Sequence, residues 1–101
     1  MIDLAEVQKK IYLNKIAKGF NVTDVYKEFC YIQGELSEAF DAYIMKNGSV
    51  GEELADVAIF LFGLAEILGV NLEEEINKKI EKNEKRLYIQ REGIDIEVTE
   101  G

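Results

Sequence analysis

Apolar residues recur at helical spacing through most of the chain. After Asp3, a helix-capping residue type, Leu4, Val7, Ile11 and Ile16 mark one face as far as about Lys18, and Gly19 supplies a stop. A second helix is expected from just after Thr23 to Lys46. Projected at about 100° per residue, Val25, Phe29, Ile32, Leu36, Ala39, Phe40 and Tyr43 form a single stripe, expected to face the core. Asn47-Gly48 ends that helix, and Ser49-Val50-Gly51-Glu52 has the form of a capping box opening a third, which reaches Leu68 and stops at Gly69. Asn71-Leu72-Glu73-Glu74 repeats the capping pattern for a fourth helix, extending to about Leu87 with Lys and Arg gathered in its last turns, where the helix dipole favours them.

The third helix carries only Asp56 and Glu66 as charges between Leu54 and Leu68. A helix apolar all round is expected to be buried. In the tail, Ile94, Ile96 and Val98 alternate with acids, the period-two pattern of a strand or extended arm. A lone strand needs an edge to pair with, which another subunit could supply. The expected fold is therefore all-α: a four-helix bundle with a short C-terminal extended or strand-like tail. The expected organisation is a single domain over 1–101, with an N-terminal helix and loop (1–22), core helices (23–87) and a C-terminal arm (88–101).

A chain of 101 residues builds only a modest core, so a second copy covering apolar helix faces would help it. Lys and Arg number 12 against 20 Asp and Glu, a net charge of -8, which sets the surface against nucleic acid and anionic membranes. A polyanionic substrate then requires local cations. With no histidine and Cys30 as the sole cysteine, internal disulfides, Cys/His zinc sites and Ser–His or Cys–His catalysis are excluded. Cys30 follows Phe29 on a helix and is expected to be a small core residue. The longest apolar run, Val57 to Ala65, is far short of the ~20 residues of a membrane span. Met1-Ile2-Asp3-Leu4 lacks the basic start of a secretory signal, so the expected location is cytoplasmic.

The remaining chemistry is that of oxygen ligands. Glu35 lies on the shoulder of the second helix's stripe, Glu38 follows at (i, i+3), and Asp41 continues the acidic diagonal. Glu53 and Asp56 repeat that spacing on the third helix, on the side of Phe60 and Ile67 at the edge of apolar surface. Crowded carboxylates there should have raised pKa values and destabilise the fold unless a cation compensates. Any single Glu-x-x-Glu is ordinary on a solvated helix face. Two such pairs flanked by apolar residues on consecutive helices point instead to a hard cation, Mg²⁺, with Mn²⁺ as its substitute. On the fourth helix Leu72 and Ile76 define an inward stripe, yet its next members are Lys79, Asn83 and Arg86. Either this is an exposed helix end complementing the dipole, or the face meets the carboxylates and offers two cations and an amide to phosphate oxygens.

The runs Gly34-Glu35-Leu36-Ser37-Glu38-Ala39 and Glu52-Glu53-Leu54-Ala55-Asp56-Val57, with Gly69-Val70-Asn71-Leu72 and Lys82-Asn83-Glu84-Lys85-Arg86, together resemble the MazG-like all-α nucleoside triphosphate pyrophosphohydrolase superfamily. The resemblance covers about Tyr26 to Arg86. It implies magnesium-dependent cleavage of nucleoside triphosphates between the α- and β-phosphates, giving a monophosphate and pyrophosphate, as in nucleotide-pool housecleaning. Glu35, Glu38, Glu53 and Asp56 match the metal-ligand and catalytic positions; Lys79, Asn83 and Arg86 match the phosphate-side positions. It further implies a homodimer or homotetramer with sites near subunit interfaces. Glu38 is a candidate general base. Where some relatives carry tryptophan after the first acidic pair, this chain has Met45. Phe20, Tyr26, Tyr43 and Tyr88 remain as stacking candidates, although Tyr26 and Tyr43 are expected in the core. Two other readings stay open: a non-catalytic helical interaction module, and a metal-dependent hydrolase of another phosphorylated metabolite.

Overall fold

A computed structural model describes residues 2–91 and 94–99, with side chains as far as Arg86. Among the described residues the order is α1 (Leu4–Ala17), α2 (Val25–Met45), α3 (Val50–Ile67), α4 (Leu72–Glu84), β1 (Arg86–Arg91) and β2 (Ile94–Thr99). The fold is all-α with a terminal hairpin. Three helix starts are fixed by side-chain caps: Asp3 accepts from the amides of Ala5 and Glu6, Asp24 from Lys27, and Asn71 from Glu74. The fourth differs from expectation. The Ser49 hydroxyl donates to Asn47 Oδ1 at 2.7 Å rather than capping α3, so no capping box forms there. Asn47 competes for that hydroxyl by closing its own local turn.

α1 and α3 end alike. Gly19 and Gly69 adopt φ of 69° and 70°, which lets Phe20 N–H reach Lys15 C=O and Val70 N–H reach Ala65 C=O, the Schellman closure. α2 and α3 pack together as an antiparallel pair, α1 lies on α3, and α4 rests on α1. α1 and α2 hardly meet through their backbones. At Gly63 of α3 an added Cβ would stand 3.4 Å from both Ile11 Cγ2 and Lys15 Cδ, so the missing side chain admits α1 close to α3.

Among the described residues the buried apolar side chains are few: Ala39 and Ala42 of α2, and Leu64 and Ala65 of α3. Burial on α2 follows Glu28, Ala39 and Ala42, with Ile32 and Glu35 half-buried between them. The expected stripe is rotated off this line, leaving Leu36, Phe40 and Tyr43 53–71% exposed. One neighbouring helix covers only a narrow strip, and α2 is apolar over a wider arc than α3 can take. α3 is likewise open at Leu54, Ile59, Leu61 and Leu68, contrary to its expected full burial. Tyr26 is exposed rather than core, as is Cys30. On α1 Ile16 is exposed, and the buried residues are polar, Gln8 and Lys15.

α4 ends at Glu84 and Arg86 already belongs to β1, so the helix is shorter than the sequence suggests. β1 and β2 pair antiparallel in a register running from Arg86↔Thr99 to Arg91↔Ile94. The period-two segment finds an edge in the residues just before it. The Tyr88 side chain lies outside the described residues. No helix is long and apolar enough to cross a membrane.

Candidate metal centre and adjoining cavity

The α2–α3 pairing sets two helical carboxylate rows against each other. Glu35 and Glu38 stand a turn apart on α2; Glu53 lies in the first turn of α3, where the positive end of the helix dipole tolerates an acid. One carboxylate oxygen from each of Glu35, Glu38 and Glu53 falls within 4.8 Å of the other two. Glu35 and Glu53 are half-buried and Glu38 is exposed. Asp56, half-buried one turn along α3, lies outside this convergence of ligand atoms, although its charge bears on both Glu35 and Glu53.

Partial removal from water, then the negative charges of Glu38, Asp56 and Glu53, raise the Glu35 carboxyl above its ordinary value. Glu53 is raised in the same way, by desolvation first and then by Glu38, Asp56 and Glu52. One oxygen of Glu53, Oε2, is buried with no hydrogen-bond partner among the described residues. Such an oxygen is costly unless something positive meets it. An octahedral magnesium ion spreads its ligand oxygens up to about 4.2 Å apart. The three carboxylates are therefore within small rotamer adjustments of closing on one ion, and a donor set of carboxylates alone suits a hard cation.

Lys79, Asn83 and Arg86 are not drawn to this cluster by packing, because α4 rests on α1 while the acids lie on α2 and α3. Lys79 and Asn83 are exposed; the Arg86 guanidinium donates to Asn83 Oδ1 at 3.3 Å.

Beside the acids, between α1 and α2, lies a cavity of about 550 Å³ whose wall includes both Glu35 and Glu38. Phe20, Tyr31 and Phe60 face it with rings, and Tyr31 meets Phe60 edge-on at 6.2 Å. Asn14, Lys15, Asn21 and Glu28 give it a polar side. Of these residues the sequence names only Phe20, as a stacking candidate, and Phe60, on the apolar side of the third helix. The mark was there: Gln8, Ile11 and Lys15 share one face of α1, and Glu28 precedes Glu35 by two turns of α2, so polar residues stand at inward positions on both helices.

Three carboxylates thus converge on a helical pair beside a ring-lined cavity, a donor set that suits a hard cation next to space for a small ligand. The chain belongs to the MazG-like family, whose model matches residues 16–100. No curated protein and no solved structure matches it.

Proposed function

We propose that this chain is a Mg²⁺-dependent nucleoside triphosphate pyrophosphohydrolase, Mn²⁺ being able to substitute. The observation that carries the reading is the convergence of Glu35, Glu38 and Glu53, one oxygen of Glu53 being buried with no hydrogen-bond partner among the described residues. Membership of the MazG-like family supports it.

Glu35, Glu38 and Glu53 hold the cation, with Asp56 reinforcing the negative field and completing the ligand set by a rotamer change. Held there, a cation would supply neutralisation of phosphate charge and a more acidic water. Water oxygen forms a bond to the α-phosphorus, the bond from that phosphorus to the α,β-bridging oxygen breaks, and pyrophosphate departs. Glu38, the most open of the three, takes the proton from the attacking water. Lys79, Asn83 and Arg86 serve the phosphate side.

Because the main packing of α4 within one chain is on α1, the reading gives this last role to a second copy. The exposed Leu36, Phe40 and Tyr43 of α2 and Leu54 and Leu61 of α3 are the apolar surface on which it would sit, in a homodimer or homotetramer. That same surface is what a purely structural interaction module would present, and metal titration separates the two: only the enzyme gives saturable Mg²⁺ binding that Glu53→Gln weakens. Incubation with a panel of canonical and modified nucleoside triphosphates and Mg²⁺, resolving all products, is the direct test. Monophosphate and pyrophosphate in equal amounts are expected; orthophosphate without pyrophosphate overturns the reading.

A further inference from the structure

The 550 Å³ cavity falls within the range of small-ligand sites and opens beside Glu35 and Glu38. Its polar side is unusual. Glu28 is 1% exposed and Lys15 8%, and the two form an ion pair bridging α1 and α2, whose backbones otherwise hardly meet. Asn21 Nδ2 donates to the other Glu28 oxygen at 3.2 Å, and Lys15 Nζ stands 5.6 Å from the centre of the Phe60 ring.

Removing two charges from water is expensive, and well-fitted apolar residues would often hold two helices together as well or better. Stability alone gives little reason for this pair to stand on a cavity wall. Binding does. An ammonium has three donors and an ionised carboxylate about four acceptor positions, so each keeps capacity after meeting the other and Asn21. Together they present a charged donor beside a charged acceptor on the wall of a cavity that Phe20, Tyr31 and Phe60 also line.

We infer that the Lys15–Glu28 pair is the specificity-determining edge of the cavity, selecting a nucleobase that carries a lactam group, as guanine, hypoxanthine, uracil and thymine do. The lactam carbonyl accepts from Lys15 and the adjacent ring N–H donates to Glu28. The neighbouring donor and acceptor of adenine and cytosine are an exocyclic amino group and a ring nitrogen; the amino N–H is a less acidic donor than a lactam N–H, so the charge-assisted bond to Glu28 gains less from it. Asn14, on the same wall, is placed to bind the remaining polar positions of the ring or the sugar. This inference rests on the nucleotide reading of the neighbouring carboxylates.

The test is calorimetric or NMR titration of the full chain, without metal, against guanosine, uridine, adenosine and cytidine. At least one lactam nucleoside is expected to bind about tenfold or more tighter than adenosine and cytidine, since a site with buried polar groups rejects ligands that leave them poorly paired. Glu28→Gln is expected to erase most of that preference. Should Glu28→Gln fail to fold, the Lys15→Met, Glu28→Leu double variant replaces the pair with apolar bulk and is expected to erase it too. Equal binding of all four, tighter binding of adenosine or cytidine, absence of nucleoside binding, or a preference that survives in a folded variant each overturns the inference. Lactam preference without pyrophosphate release leaves this inference standing and removes the proposed reaction; pyrophosphate release with no base preference does the reverse.

Discussion

Gln8 and Glu66 meet side chain to side chain, the Gln8 amide donating to Glu66 Oε2 at 2.9 Å, and so tie the start of α1 to the end of α3. The same amide nitrogen lies 2.6 Å from the carbonyl of Val70, and its oxygen accepts from Leu72 N–H at 3.3 Å. At 4% exposure Gln8 therefore satisfies backbone groups of the α3–α4 connection that water does not reach. Gln8→Leu keeps the volume and orphans these partners. A loss of about 2–3 kcal/mol in unfolding free energy is expected, measured by urea denaturation; an unchanged midpoint would show that the connection finds other partners.

Close approach of α1 to α3 depends on Gly63, where a Cβ already stands 3.4 Å from Ile11 and Lys15. A larger side chain has to push the helices apart. Gly63→Leu is expected to cost about 1–3 kcal/mol and to disturb the cavity on the α1 side, whereas Gly34→Ala, with open space at its Cβ position, is expected to leave stability unchanged or slightly raised. Thermal unfolding of the two variants side by side checks the contrast.

Glu35 and Glu53 both have carboxyl pKa values raised from 4.5. The sign follows directly: a raised value means the fold favours the protonated forms. Their contribution to stability of the metal-free protein is full below about pH 4.5 and is lost as pH climbs through the raised values. A bound cation favours the charged forms instead. The increase in Tm caused by Mg²⁺ is therefore expected to be near zero at acid pH and to grow as pH rises through that window to 7. A Mg²⁺ effect equal at pH 4.5 and pH 7 would place the ion elsewhere.

If α4 of one copy serves the carboxylates of another, Glu53→Gln and Lys79→Ala subunits damage different halves of a shared site. Each variant alone is expected to lose activity by about a hundredfold. Mixed and allowed to exchange, a dimer should recover about a quarter of wild-type activity, through hybrids holding one intact site. No recovery, in a mixture shown by native mass spectrometry to contain hybrids, assigns Lys79 to its own chain's site or to none.

The helices, the capping of α1 by Asp3 and of α4 by Asn71, and the carboxylates on α2 and α3 were legible because each depends on residues within a few positions of one another. What was hidden depends on how far a helix is turned against its neighbour. Spacing places Val25, Phe29, Ile32, Leu36, Ala39, Phe40 and Tyr43 on one stripe; it does not say that burial runs along one edge of it, through Glu28, Ala39 and Ala42. The same rotation exposes Cys30 and buries Glu28, and neither outcome is written in hydrophobicity. The hairpin was half visible, since β2 has its own alternation while β1 begins where a charged helix end was expected.

α1 reaches the cavity from one side and carries Asn14 and Lys15, while Glu35, Glu38 and Glu53 belong wholly to α2 and α3. Of the proposed specificity pair, Lys15 therefore sits on α1 while Glu28 shares α2 with Glu35 and Glu38. If both proposals hold, a substitution at Asn14 or Lys15 would alter which ring is accepted without touching the helices that carry the carboxylates, letting preference drift over a fixed reaction centre.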